Sequence, residues 1–197
     1  MSKETQAFWE SIHKRGLVEY LGDGEFEFAT RGFRNTSEFM NRYNSAESYL
    51  DIGPGFGHAI FGSGAKQKAV ADISSEAMSK ITSRDPLIRA YHIYSDPPTE
   101  SYDLITCISV VQHCDKQALD NLIAFGKSAL SSDGLFYIEG VGLHSGEDSG
   151  HDFSNTSSGS HMWNANDIIE VWGGKVIYKA EYPLDDSKNV WWLGLSK

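Results

Sequence analysis

The sequence predicts an α/β fold built on a doubly wound sheet. Three observations carry this. From residue 46 onward, short apolar runs alternate with amphipathic helical segments. The run YDLITCISV is apolar almost throughout, as in a strand covered on both faces. A glycine-rich turn, GPGFG, follows directly on the first strand, where such sheets bind ligands.

Taken in order, the chain opens with a helical pattern in which Phe8, Trp9 and Ile12 share a face, and a second short helix is expected over 36–43. Residues 1–45 are therefore read as a helical cap, and residues 46–197 as the ligand-binding core of a single domain. SYLDI is the first strand and KAVADI the second. SSEAMSKI is helical, with Ser74 or Ser75 available to cap it. IRAYHIY is the third strand and YDLITCISV the fourth. DKQALDNLIAFGKSAL reads as a helix capped by Asp115, turning Ala118, Leu119, Leu122, Ile123 and Leu130 inward. GLFYIEG is the fifth strand, and NANDIIEVWGG is a helix that ends at Gly173 and Gly174. KVIYKAEY and NVWWLGLSK are two final strands joined by a turn through Pro183 and DDSKN, which brings the total to seven. Between the fifth strand and the last helix lies a Gly/Ser-rich segment, 141–162. Its length makes it a functional or mobile loop.

Composition narrows the partners. A chain of 197 residues hides roughly 70% of its unfolded surface, enough for a substantial core. The formal net charge is −10, with 17 Lys and Arg against 27 Asp and Glu and no basic cluster, so a nucleic-acid partner is not expected. The start MSKETQAFWE lacks the apolar segment of a signal peptide, and no apolar run approaches the ~20 residues of a membrane helix. Cys107 and Cys114 form no disulfide framework, so a reducing cytoplasm is the expected location. Nor do Cys107, His113 and Cys114 have a second ligand pair at zinc spacing, and no metal ligands are assigned.

The glycine turn decides between ligands. A phosphate-binding P-loop ends its glycines with Lys and then Ser or Thr, but here Lys66 is followed by Gln67. The dinucleotide fingerprint needs glycines at its first, third and sixth positions. Gly53 and Gly55 fit, but His58 holds the sixth. Asp51, at the tip of the first strand, would repel a pyrophosphate and attract an ammonium or sulfonium group. Asp72 ends the second strand, where an acid accepts hydrogen bonds from ribose hydroxyls. A ligand with a ribose, no phosphate and a positive end is S-adenosylmethionine.

The motifs themselves, YLDIGPGFG, AVADIS, SYDLITCISVVQHCD and LSSDGLFYIEG, resemble in order the first, second, fourth-strand and fifth-strand motifs of class I S-adenosylmethionine-dependent methyltransferases. The two C-terminal strands resemble that family's terminal pair. The resemblance implies a Rossmann-like seven-stranded sheet with the last strand antiparallel and N-terminal helices capping the site. It implies S-adenosylmethionine as cofactor and S-adenosylhomocysteine as product. By the same resemblance, Asp51 would lie near the amino group of the methionine moiety, lined by Gly53, Pro54, Gly55 and Gly57. Asp72 would take the ribose, Ile73 the adenine face, and Ser95 and Asp96 the adenine edge. Cys107, Ile108 and Ser109 would line the mouth.

The Asp96-Pro97-Pro98 triplet resembles the motif of base N-methyltransferases. It precedes the fourth strand instead of following it, however, and Thr99 stands where an aromatic residue is needed. A small-molecule or carbohydrate acceptor is the expectation, methylated at oxygen. A hydroxyl benefits from a base, here a histidine or a carboxylate, and His113, His144 and His151 fall on the ligand-binding edge. The loop bearing His144 and His151 also carries Glu147, Asp148 and Asp152, and is read as a lid or as the holder of a divalent ion. The competing readings are a protein or tRNA methyltransferase, a nicotinamide-dependent oxidoreductase, and a non-catalytic S-adenosylmethionine-binding module.

Overall fold

The computed structural model describes residues 3–15, 37–143, 152–153, 160–183 and 188–197. Helices α1 (Lys3–Arg15) and α2 (Ser37–Ser45) precede a sheet whose strands are β1 (Ser48–Ile52), β2 (Gln67–Asp72), β3 (Arg89–His92), β4 (Tyr102–Cys107), β5 (Leu130–Leu143), β8 (Lys175–Pro183) and β9 (Lys188–Ser196). A separate two-stranded ribbon pairs β6 (Asp152–Phe153) with β7 (Ser160–His161). The connecting helices are α3 (His58–Gly62), α4 (Ser75–Arg84), α5 (Lys116–Ala129) and α6 (Ala165–Trp172), with a 3₁₀ turn at Val111–His113.

The sheet order is β3-β2-β1-β4-β5-β9-β8. The first five strands are mutually parallel, and β9 inserts antiparallel between β5 and β8. This is the expected seven-stranded, doubly wound arrangement with its last strand reversed. Both faces are covered, which is why β1 and β4 read as almost continuous apolar runs. On one face α5 and α6 lay Leu119, Leu122, Ile168 and Trp172 over Leu50, Ile105 and Phe136. On the other, α2, α3 and α4 lay Phe39, Ile60 and Ile81 over Tyr49, Leu104 and Tyr137. Trp191 and Trp192 alternate along β9 and so enter opposite layers, both buried.

Helix starts follow local chemistry. Ser74 caps α4 by accepting from Ala77 N at 3.1 Å, and Asp115 caps α5 by accepting from Ala118 N at 2.7 Å. The helix α6 starts at Asn164, whose N–H donates to Asp167, and stops at Gly173 in the left-handed region at φ 61°. Buried indoles are satisfied in turn: Trp163 donates to Cys114 O, Trp172 to Ser196 O and Trp191 to Trp163 O.

Three boundaries differ from the sequence expectation. The third strand stops at His92 because Ser95 and Asp96 both donate their N–H groups to His92 O, closing a turn. The fourth stops at Cys107, where Ser109 turns the chain at φ 57° into the 3₁₀ segment. The fifth begins at Leu130, ahead of a register shift that pairs Tyr102 with Leu130 but Leu104 with Leu135. The segment expected as one long loop contains the end of β5 and the β6–β7 ribbon. Of the turn expected through Pro183 and DDSKN, Pro183 ends β8 and Lys188 and Asn189 begin β9, with Pro183 in register with Asn189; residues 184–187 lie outside the described residues. No described helix is long and apolar enough to cross a membrane.

Candidate functional site

In a parallel sheet of this kind the carboxyl ends of β1 to β5 share one edge, and the topology brings the motif residues to it. Asp51 is buried there at 4% exposure. Its Oδ1 accepts from Thr106 Oγ1 at 2.7 Å, and the Thr106 oxygen in turn lies 2.6 Å from the Tyr49 hydroxyl. Burial pushes the Asp51 carboxyl up to about 7, opposed by the Thr106 hydrogen bond. A buried carboxylate held by neutral donors is neutralised by a proton or by a cation.

Asp72 ends β2 on the neighbouring strand, also buried. Its Oδ1 accepts from Ser74 N at 2.8 Å. Burial raises it to about 6, opposed by the N–H groups of Ser74 and Ile73. Its second oxygen keeps hydrogen-bonding capacity for a pair of hydroxyls.

The glycine turn links these two strands. Gly53 donates its N–H to Ala71 O at 2.8 Å and turns at φ 67°, pressed against Val110. Gly55, at φ 54°, faces open space: a Cβ there would meet no atom within 4 Å. Gly55 is half-buried, so a ligand could meet bare backbone there. Pro54 is buried and accepts from Gly57 N at 2.8 Å. Gly57 caps α3, and its vacant Cβ position faces Phe61 and Ile81, so its open side is turned to packing.

Ile73 follows Asp72 and is buried; Ser95 and Asp96 stand exposed in the turn after β3. Cys107 is buried at the end of β4, where burial pushes its thiol well above the ordinary value. Ile108 and Ser109 are half-buried just beyond it. These residues lie along one edge, in the order of strands β3, β2, β1 and β4.

His113 closes the 3₁₀ turn. Its ring stands edge-on to Trp9 of α1, with centroids 4.8 Å apart. Its buried Nδ1 has no hydrogen-bond partner among the described residues, and burial holds the ring down to about 4. It is therefore neutral at pH 7 and a weaker base than the task favours. His144 and His151, with Glu147 and Asp148, lie outside the described residues. No group of three His, Cys, Asp or Glu side chains suited to a metal ion occurs among the described residues.

Two features at this edge of the sheet were not legible in the sequence. One is the attachment of α1. Gln6 donates to Ile73 O at 3.2 Å, and Glu10 accepts from Ser75 N and Glu76 N at the start of α4. His13 meets Ser74 Oγ at 3.0 Å and stands edge-on to Phe56. One helix thus touches the loops after β1, β2 and β4. These contacts are long-range polar pairings that no local pattern announces. The other is Glu139 on β5, buried at 3% exposure. A lone acid inside the apolar strand FYIEG was the available signal.

No family model matches the chain, and no curated protein matches it in sequence. Solved structures do match in shape. The N-methyltransferase NodS from Bradyrhizobium japonicum WM9, in complex with S-adenosyl-L-homocysteine, superposes with a TM-score of 0.68 at 15% identity, over 99% of this chain and 100% of that one. The 1,6-didemethyltoxoflavin-N1-methyltransferase of Burkholderia thailandensis, with 1,6-didemethyltoxoflavin and S-adenosylhomocysteine bound, gives 0.71 at 13% identity over 98% and 88%. An S-adenosylmethionine-dependent methyltransferase from Clostridium acetobutylicum ATCC 824 gives 0.64 at 12% identity over 92% and 96%. The chain has the Rossmann-like fold of these S-adenosylmethionine-dependent methyltransferases. Identities this low carry the fold and nothing finer.

Proposed function

We propose that this chain is an S-adenosylmethionine-dependent methyltransferase that modifies a small-molecule or sugar acceptor, at oxygen, in the cytoplasm. The observation that carries the reading is the pairing of Asp51 and Asp72. They are two buried carboxylates on adjacent strand ends, with the open backbone of Gly55 between the strands. Asp51 would take the ammonium of the methionine end, over Gly53, Pro54 and Gly55. Asp72 would take the ribose hydroxyls. Ile73 would face adenine, with Ser95 and Asp96 at its edge, and Cys107, Ile108 and Ser109 would border the route to the acceptor. When bound, the cofactor supplies an electrophilic methyl group; the chain's share is alignment, exclusion of water and a place for the displaced proton.

Several observations weigh against the rivals. A pyrophosphate would face the Asp51 carboxylate, and His58 occupies the fingerprint's sixth position, which disfavours a nicotinamide enzyme. A net charge of −10 disfavours tRNA. Two free, buried cysteines fit a reducing compartment. A nitrogen acceptor is the second reading, favoured by the likeness to two N-methyltransferase structures. Calorimetry with S-adenosylhomocysteine tests the cofactor assignment: saturable binding by the intact protein and its loss in Asp72→Ala are expected. Absence of binding, together with an NADH fluorescence titration that saturates, would transfer the site to the nicotinamide class.

A further inference from the structure

Glu139 sits on β5 next to the end of β4, since Cys107 pairs with Ile138. Along β5, side chains alternate, so Glu139 shares a face with Tyr137. Tyr137 lies in register with Thr106, and Thr106 with Asp51, so Glu139 occupies the same face of the sheet as the Asp51 network. It stands two strands across from β1, roughly 10 Å at about 4.8 Å per strand, and one step further toward the open edge. The chain turn after β4 joins the two places directly. Ser109 donates to Glu139 Oε1 at 2.8 Å, and the next residue, Val110, packs on Gly53 of the glycine turn.

The carboxylate is deliberately oriented. Trp192 Nε1 donates to its other oxygen, Oε2, at 3.0 Å, and Trp192 is its register partner on β9. Its hydrogen-bond partners among the described residues are thus two neutral donors, one on each oxygen. Ser109, which aims it, is the one non-glycine residue at positive φ among the described residues, at 57°. Such strain persists where the surroundings over-determine it, and it gathers at working sites. Burial also pushes the Glu139 carboxyl up to about 7, opposed by the Ser109 and Trp192 hydrogen bonds, a value matched to proton exchange near neutral pH.

We propose that Glu139 is the acceptor-side carboxylate of the site: it holds the O–H or N–H group that receives the methyl group and takes up its proton, aimed by Ser109 and Trp192. This rests on the methyl-transfer reading above. In the transfer, the acceptor's lone pair forms the new bond to carbon, the sulfur–carbon bond breaks with its electron pair left on sulfur, and the acceptor's proton passes to Glu139 and then to water. The substrate class follows. Alcohols, phenols and amines present a proton to Glu139. A carboxylate or thiolate acceptor presents a negative charge and is repelled.

The test needs no knowledge of the acceptor. Sinefungin carries an ammonium-bearing carbon where S-adenosylmethionine carries its methylated sulfur, so its positive charge marks the position of the transferred methyl. Calorimetry at pH 8 would compare sinefungin with S-adenosylhomocysteine on the wild-type protein and on Glu139→Gln. The expected result is that the wild type prefers sinefungin by about tenfold, and that Glu139→Gln loses this preference with its S-adenosylhomocysteine affinity unchanged. Should Glu139→Gln fail to fold, Ser109→Ala decides, since it keeps the carboxylate but releases its aim. It should shrink the ratio of sinefungin to S-adenosylhomocysteine affinity about threefold, whatever it does to either affinity alone. An equal preference in wild type and variants overturns the assignment of Glu139 while leaving the cofactor site standing. A wild-type protein that binds neither ligand overturns the methyl-transfer reading, and this proposal with it.

Discussion

Thr106 on β4 donates its hydroxyl to Asp51 on β1 at 2.7 Å, and the two residues are direct register partners across parallel strands. The Tyr49 hydroxyl backs Thr106 from the same face, so a short chain of hydroxyls stabilises the ionised form of a buried acid. Thr106→Val keeps the volume and removes the donor. A hydrogen bond to a charged group is worth about 1.5–3 kcal/mol, so S-adenosylhomocysteine should bind roughly tenfold or more weakly at pH 7, with the gap narrowing at pH 9. Asp51→Asn should weaken it at both pH values. Calorimetry at the two pH values reads this, and wild-type affinity in Thr106→Val at pH 7 would remove the hydroxyl from the account.

Stability should fall as pH rises through neutrality. Burial raises Asp51 and Glu139 to about 7 and Asp72 to about 6, from ordinary values of 3.8 for the aspartates and 4.5 for the glutamate. Each group therefore holds its proton more tightly folded than unfolded. Its contribution is fully present below about pH 4 and is lost as pH climbs through about 6 to 7. The ligand-free protein should lose more melting temperature between pH 5 and pH 8 than Asp51→Asn does. Parallel slopes in the two proteins would contradict the raised carboxyl.

Two glycines should separate binding from packing. At Gly140 a Cβ would lie 2.3 Å from Trp191 Cζ2 and 2.6 Å from Val111 Cγ2, so Gly140→Ala should cost about 1–3 kcal/mol in urea unfolding. At Gly55 the space is open but φ is 54°, so Gly55→Ala should cost about 1–2 kcal/mol of stability while obstructing the ligand's approach. The diagnostic result is a cofactor affinity that falls more in Gly55→Ala than its stability does.

The α1 contacts make a third kind of prediction. Glu10 accepts two N–H groups at the start of α4, acting as a cap supplied from another helix. Glu10→Ala should cost about 1 kcal/mol and should hasten S-adenosylhomocysteine release in stopped flow, because α1 also reaches Ile73 and Phe56. Unchanged release would separate α1 from the ligand.

Much of this could be read from the chain because it depends on local chemistry. Asp51 and Asp72 stand at strand tips beside glycine or serine, and Ser74 and Asp115 cap helices within their own neighbourhood. The unread part depends on pairings distant in sequence. Glu139 reads as an interruption of an apolar strand until Ser109 and Trp192 are seen to hold it. His113 gives no sign in the sequence of the Trp9 ring against it or of the burial that lowers its pKa to about 4. Ser109 gives no warning of its positive φ, because serine has no preference for that region.

The reversed β9 has a bearing on the order in which the molecule assembles. β8 pairs with β9 and β9 with β5, so β8 has no place in the sheet until a segment synthesised after it has threaded between them. Such a long-range antiparallel closure is a late event on the folding route. Trp192 arrives with that strand, so the indole that steadies Glu139 is delivered only at the final step. A nascent chain halted before β9 would already contain Asp51, Gly55 and Asp72 while still lacking the Trp192 half of the grip on its fifth-strand acid.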